Sequence, residues 1–115
     1  MKKKILFVCS ANLNRSPTFE KYFKKILPKK DWEVRSAGIW HGVLYQVNEE
    51  ILEWADKVFV MDMSHYFFIF KHYYEYIDKV VVVGISDEYN PDEDKLIELI
   101  EFWKNVFWRK AISDI

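Results

Sequence analysis

The chain has 115 residues, a formal net charge of −1 at pH 7, and a hydrophobic content of 50%. A chain of this length and composition forms one folded domain, assigned to residues 1–115, rather than a disordered segment. The balanced charge gives no basic field for nucleic acid, and no apolar run approaches the ~20 residues of a membrane span. The single cysteine, Cys9, excludes an internal disulfide and suits a reducing compartment, so we expect a cytoplasmic protein.

The N-terminal part of the chain predicts a strand, a short loop and a helix. Residues 3–9 form a brief apolar run that is typical of a buried strand. Ser16 followed by Pro17 is a helix-start signal, with Ser16 as the N-cap and Pro17 in the first helical position. An apolar stripe continues to Leu27, and Pro28 ends the helix.

The rest of the chain continues the alternation of strands and helices. Further strands are predicted over residues 32–39, 57–61 and 79–85, the last of them buried on both faces. Helices are predicted over residues 49–55 with Asn48 as N-cap, and from an N-cap at Ser64 to about residue 77.

The last helix has the clearest predicted start. Asn90 is its N-cap, Pro91 takes the first helical position, and Glu93 completes a capping box. The helix is predicted to run to about residue 111. Its apolar stripe contains Leu96, Ile97, Ile100, Trp103 and Phe107.

This order of elements predicts a three-layer α/β/α domain with a central four-stranded parallel sheet, doubly wound. Strands separated by helices are joined by right-handed crossovers, which place helices on both faces of the sheet. Ligands of such folds bind beyond the carboxyl ends of the strands. Cys9, Gly38, Asp62 and Asp87 all follow or end predicted strands, so we expect the site there.

The segment from Cys9 to Pro17 has the chemistry of a phosphate site. A loop between a strand and a helix turns its N–H groups inward, and the helix N-terminus adds partial positive charge. Both favour a thiolate at Cys9. Arg15, separated from Cys9 by five residues, has the planar fork that binds two phosphate oxygens. This layout indicates a covalent phosphatase.

With its Cys9-(five residues)-Arg15-Ser16-Pro17 pattern, the sequence resembles the low-molecular-weight protein tyrosine phosphatases, and most closely their short members. Three further segments match in order along nearly the whole chain. They are Ser36-Ala37-Gly38, the segment from Trp54 to Asp62, and Asp87-Glu88-Tyr89. The resemblance implies a phosphatase-I-like doubly wound fold and a hydrolase that needs no cofactor and no metal.

The resemblance also implies a role for individual residues. Cys9 would be the nucleophile that forms a phosphocysteine, Arg15 would bind the phosphoryl oxygens, and Asp87 would act as general acid and then as base. Asn12 would shape the loop, and Ser16 would donate a hydrogen bond to the Cys9 sulfur. The implied phosphate-binding residues are Cys9, Ser10, Ala11, Asn12, Leu13, Asn14, Arg15 and Ser16.

The implied partners are a phosphotyrosine-containing protein or a small aryl phosphate, with phosphate, vanadate or a similar oxyanion in the loop. Trp40 and Tyr89 are the candidate substrate rim, although a loop tryptophan can equally pack on the core. Asn14 stands where many members of the family have a second cysteine. His65, on an aromatic helix, is interpreted as structural.

Two other functions fit the same residues. One is a phosphoanion-binding module with little catalysis, because Asp87 lacks the proline that usually follows the acid in this family. The other is a thiol-dependent arsenate reductase that relies on an external thiol. Asp92, Glu93 and Asp94 compete with Asp87 for the acid role. The helix after Ser64 is apolar on more than one face, which suggests a homodimer through exposed aromatic residues.

Overall fold

The structure, a computed structural model, describes all residues 1–115. The strands are β1 Lys3–Cys9, β2 Trp32–Gly38, β3 Lys57–Val60 and β4 Val80–Val82. The helices are α1 Arg15–Ile26, α2 Glu49–Trp54, α3 Met63–His72, α4 Asp94–Trp103 and α5 Arg109–Ala111, with a 3₁₀ turn at Tyr74–Lys79 and a π-helical turn at Lys104–Trp108. None of the helices has the length and apolar character needed to cross a membrane.

The four strands form one parallel sheet in the order β2-β1-β3-β4, which confirms the predicted fold. Strand β1 lies inside the sheet and alternates between its two faces, as the two-residue period of a strand requires. Ile5 and Phe7 pack with residues of α1 and α4, whereas Leu6 and Val8 pack with residues of α2 and α3. This double burial fixes the position of the loop that follows Cys9.

Helix α1 begins two residues earlier than predicted, at Arg15, and Ser16 is not its N-cap. The N-cap is Asn14, whose side chain makes no capping hydrogen bond. The Ser16 hydroxyl instead lies 3.0 Å from Cys9 Sγ and donates to Asn12 Oδ1 at 2.9 Å. The serine before the proline therefore serves the loop, while Thr18 Oγ1 donates to the Asn14 carbonyl at 2.7 Å.

Helix α3 is capped by Asp62 and not by Ser64, which corrects the prediction. The Asp62 carboxylate accepts the Ser64 N–H at 2.9 Å, and His65 Nδ1 accepts the Asp62 N–H at 3.1 Å. This is a capping box in which histidine takes the place that glutamate or glutamine usually holds. The helix also ends earlier than predicted, at His72, and the 3₁₀ turn follows it.

Strand β4 is shorter than predicted, and its two faces are only partly buried. It contains three residues, all half-buried, because it lies at the edge of the sheet and pairs only with β3. A run of valines is typical both of a central strand and of an edge strand that is covered by helices. The sequence alone therefore does not distinguish the two positions.

The last helical segment differs from the prediction at both ends. Helix α4 begins at Asp94, because the preceding residues form a turn in which Asp92 has a φ of 59°. Glu93 still accepts the Asn90 N–H at 2.8 Å, as expected for half of a capping box. At the other end Phe107 is exposed and Trp108 packs on the core, because the π-helical turn adds one residue to the repeat.

Candidate active site

The loop after β1 turns sharply at Asn12, which has a φ of 58°. This left-handed conformation is one that asparagine adopts more readily than most residues. The loop also packs tightly on the end of β2. A Cβ atom added at Gly38 would lie 2.8 Å from the Ser10 carbonyl oxygen and 2.9 Å from the Asn12 nitrogen. Gly38 therefore permits the close approach on which the loop conformation depends.

Cys9 lies at the bottom of the loop and is 3% exposed. The loop encloses a cavity of about 190 Å³ at the carboxyl edge of the sheet. The residues that line it are Cys9, Ser10, Ala11, Leu13, Asn14, Arg15, Trp40 and Asp87. The predicted nucleophile, arginine and acid thus face one cavity, together with five of the other residues predicted to bind phosphate or form the rim.

Arg15 is 2% exposed and is held by two groups that the sequence analysis did not identify. Its Nη1 donates to Asp62 Oδ2 and to the main-chain carbonyl of Ile85, both at 2.8 Å. A guanidinium Nη carries two protons, so Nη1 is fully used. The remaining donors, on Nε and Nη2, are available to two oxygens of a bound oxyanion.

Asp62 neutralises the buried arginine. Partial burial would raise the pKa of the Asp62 carboxyl, but hydrogen bonds from Ser64 and Arg15 outweigh it and lower the pKa to about 2. Asp62 is therefore ionised at neutral pH and does not supply a proton. Pairing a buried charge in this way avoids the large penalty of an isolated guanidinium in the protein interior.

Asp87 is the carboxylate that lines the cavity from outside the loop. Its side chain is 71% exposed, and its Oδ2 lies 3.9 Å from Arg15 Nη2. The neighbouring acids are engaged elsewhere, since Asp92 pairs with Lys21 at 3.1 Å and Glu93 accepts the Asn90 N–H. Of the candidate acids that the sequence offered, the structure brings Asp87 to the cavity.

The rim of the cavity is formed by Trp40 and Leu13, which are 57% and 69% exposed. Tyr89, the other residue predicted for the rim, is not among the residues that line the cavity and is half-buried against the core shared with α1 and α4. A hydrogen bond with Glu88 and partial burial raise the pKa of Tyr89. Leu13 was expected only to bind phosphate through the loop, yet its exposed side chain adds apolar surface beside Trp40.

His65 contacts the loop, a connection that the sequence analysis missed. The imidazole is fully buried, and its Nε2 lies 3.0 Å from Ser10 Oγ. Burial lowers the pKa of His65 from 6.5 to about 4, so the ring is neutral at neutral pH. The sequence feature that could have indicated a role for His65 is its position three residues after Asp62, where the partner of an N-cap in a capping box is expected.

Comparison with known proteins agrees with this geometry. Residues 4–57, which include β1, the loop and α1, match the family model described as low molecular weight phosphotyrosine protein phosphatase. A protein-arginine-phosphatase from Bacillus subtilis (strain 168) is 29% identical and is aligned over 84% of this chain and 91% of its own length. Over these residues the chain is similar to the low-molecular-weight protein tyrosine phosphatases. It is accordingly a hydrolase of the low-molecular-weight phosphatase type.

Solved structures of related phosphatases have the same fold. A cysteine-to-serine mutant of the YwlE arginine phosphatase, with a phosphorylated active site serine, is 25% identical, with a TM-score of 0.70 and coverage of 94% of this chain and 99% of that one. The tyrosine phosphatase Wzb from Escherichia coli K30, in complex with phosphate, is 22% identical with a TM-score of 0.73 and full coverage of both chains. The second likeness supports the fold alone.

Proposed function

We propose that this protein is a cysteine-dependent phosphomonoesterase that hydrolyses phosphotyrosine or small aryl phosphates through a phosphocysteine. The observation that carries the proposal is that Cys9, Arg15 and Asp87 line one cavity. A phosphoryl group spreads negative charge over its oxygens, so donors fixed around it supply most of the catalysis. The loop N–H groups and the Nε and Nη2 donors of Arg15 are such donors.

In the first step the Cys9 thiolate attacks phosphorus, a sulfur–phosphorus bond forms, and the bond from phosphorus to the aryl oxygen breaks. Asp87 gives its proton to that oxygen, because a tyrosine phenol has a pKa of ~10 and leaves poorly as an anion. In the second step water attacks phosphorus, Asp87 takes a proton from the water, and Cys9 is released as thiolate. Inorganic phosphate is the product.

Ser16 is placed to stabilise the thiolate in both steps. A hydroxyl has one proton, which Ser16 gives to Asn12 Oδ1, to the Cys9 sulfur or, at the longer distance of 3.4 Å, to the Ala37 carbonyl. When Cys9 is a thiolate, the sulfur is the stronger acceptor, and a 180° turn of the Asn12 amide would present its NH₂ group to the Ser16 oxygen. This arrangement explains why Ser16 points inward and does not cap α1.

Two substrate classes have support, and they differ in the atom that leaves. The phosphorylated serine of the related arginine phosphatase supports covalent transfer to the residue at the start of the loop, and its name supports phosphoarginine as a second candidate substrate. The rim favours aryl esters, because Trp40 offers a stacking surface and Leu13 adds apolar contact. The phosphate complex of Wzb supports an oxyanion in the same loop.

Comparing kcat/KM for phosphotyrosine and phosphoarginine tests the substrate class. We expect phosphotyrosine to be preferred, and Trp40→Ala to reduce kcat/KM for phosphotyrosine by about 5- to 10-fold, the value of one aromatic contact. Trp54→Ala is the matched control, because Trp54 stacks on Arg35 with the guanidinium carbon 4.3 Å from the ring centroid. Preference for phosphoarginine, with no effect of Trp40→Ala on phosphotyrosine, would assign the second substrate class.

Asp87→Asn tests the acid. The variant should lower kcat by about 10²–10⁴-fold for an unactivated phenyl ester, the usual contribution of a general acid, and much less for a nitrophenyl ester that leaves without a proton. Asp92→Asn is the control, since Asp92 is a neighbouring acid paired with Lys21. Equal losses for both esters would exclude Asp87 as the proton donor.

The same assays separate the other functions. A phosphoanion-binding module would bind vanadate or phosphate without turnover of any ester. An arsenate reductase would consume an external thiol in the presence of arsenate. We also place the protein in the cytoplasm, because the nucleophile must be a reduced thiol. Exposed aromatic side chains on and just after α3, at Phe67, Phe70 and Tyr74, support a weak homodimer.

A further inference from the structure

His65 joins the first residue of the phosphate loop to the main chain of Asp62, whose carboxylate holds Arg15. Its side chain is fully buried at the start of α3. On one side Nδ1 lies 3.1 Å from the Asp62 nitrogen, and on the other Nε2 lies 3.0 Å from Ser10 Oγ. Ser10 and His65 are 55 positions apart in the sequence, so the fold creates this contact.

The main chain decides which nitrogen of the ring carries the proton. The Asp62 N–H can only donate, so Nδ1 must be the acceptor and must be unprotonated. The proton of the neutral ring is therefore on Nε2. Nε2–H then donates to Ser10 Oγ, and the Ser10 hydroxyl is an acceptor in this contact.

The direction of that hydrogen bond leaves the Ser10 proton free. A serine hydroxyl both accepts and donates, and the contact with His65 uses only the acceptor side. Ser10 is half-buried and lines the cavity, and its side chain makes no other hydrogen bond within the protein. Its proton is thus available to an oxyanion in the cavity, and the bond from His65 makes the hydroxyl a stronger donor.

We propose that Ser10 donates a side-chain hydrogen bond to the bound phosphoryl group and that His65 is the positioning residue that directs it. The effect on catalysis rests on the proposed function. The effect on oxyanion affinity does not, and it can be measured without turnover. His65 touches neither the substrate nor the reacting atoms. Its effect passes through Ser10, and this route distinguishes it from a residue that only caps α3.

Two amide substitutions separate the cap from the contact with Ser10. In His65→Asn the side-chain oxygen falls near the position of Nδ1 and keeps the Asp62 cap, but the side chain is too short to reach Ser10. In His65→Gln the amide nitrogen falls near the position of Nε2 and keeps a donor toward Ser10. Ser10→Thr keeps the hydroxyl and Ser10→Ala removes it. His72→Asn is the matched control, because His72 is an exposed histidine at the other end of α3.

The experiment measures the dissociation constant of vanadate by calorimetry and kcat/KM for an aryl phosphate on the whole chain. We expect Ser10→Ala and His65→Asn each to weaken vanadate binding about 10-fold, the value of one hydrogen bond to a charged group. The double variant should be no weaker than either single one. His65→Gln, Ser10→Thr and His72→Asn should bind within about 3-fold of the unmodified chain, because each keeps the donor.

Unchanged vanadate binding in Ser10→Ala would overturn the proposal, and so would effects of Ser10→Ala and His65→Asn that multiply in the double variant. If His65→Asn does not fold, the contrast between Ser10→Ala and Ser10→Thr still decides, because Ser10 lies outside the core. Failure of the proposed function has a different signature. In that case the unmodified chain would hydrolyse no ester, whereas the pattern of vanadate affinities would still test Ser10 and His65.

Discussion

Replacing Cys9 by serine should abolish ester hydrolysis while leaving oxyanion binding intact. The substitution exchanges sulfur for oxygen in a side chain that is 3% exposed, so the loop and Arg15 keep their positions. A serine hydroxyl is a weak nucleophile unless a general base activates it. The side chain beside Cys9 is the Ser16 hydroxyl, which is not a base at neutral pH. We therefore expect a loss of at least about 10⁴-fold in kcat.

Steady-state hydrolysis of an activated aryl phosphate measures the loss, and calorimetry with vanadate measures the binding. Ser16→Ala is an informative companion, because it keeps the thiol and removes only the hydroxyl 3.0 Å from it. That variant should retain turnover at a level about 10- to 100-fold below the unmodified chain, as expected when one hydrogen bond to a charged group is lost. Substantial turnover by Cys9→Ser would contradict a phosphocysteine mechanism.

The parts of the site that could be predicted from the sequence are those made by neighbouring residues. Cys9, Asn12 and Arg15 lie within seven positions, and a strand, a left-handed residue and a helix start fix their relation locally. The order of elements then placed Asp87 at the same edge of the sheet, because parallel strands bring their carboxyl ends together. That rule predicts the edge of the sheet at which Asp87 lies but not its distance from Arg15. The exposure of Asp87 therefore could not be predicted.

The contacts that support the loop come from residues far along the chain. Arg15 bonds to Asp62 and to the Ile85 carbonyl, 47 and 70 positions away. A carbonyl has no signature in the sequence, and an aspartate after a strand could equally face solvent. The type of a residue also does not show which of several possible local hydrogen bonds its side chain or main chain makes. Ser16 and Ser64 both have the residue type of an N-cap, yet one serves the Cys9 loop and the other donates to the true cap.

The sequence did not predict correctly where two aromatic side chains pack. The helical repeat placed Phe107 in the core, but the π-helical turn carries Trp108 there, with its ring 4.6 Å from that of Phe23. Tyr89 also packs against that core and does not line the cavity. Both corrections concern aromatic residues, which suit a core or a rim equally well.

Arg15→Lys should reduce kcat/KM by at least about 10³-fold although it preserves the charge. The guanidinium uses Nη1 for Asp62 and the Ile85 carbonyl while Nε and Nη2 face the oxyanion. A lysine ammonium has three donors at one point and cannot reach both sides. We expect it to remain on Asp62, since the ionised carboxylate attracts the ammonium in a partly buried site, and to leave the phosphoryl oxygens with the loop N–H groups only.

Arg35→Lys is the matched control, because Arg35 is an exposed arginine that stacks on Trp54, away from the cavity. It should leave kcat/KM within about 2-fold, because an exposed side chain of this kind contributes little to the site. Vanadate affinity should fall together with kcat/KM in Arg15→Lys, since the lost donors contact the oxyanion in the ground state and in the transition state. If Arg15→Lys binds vanadate normally yet loses turnover, Arg15 acts only in the transition state. If the variant keeps both its vanadate affinity and its kcat/KM, the proposed role of Arg15 is contradicted.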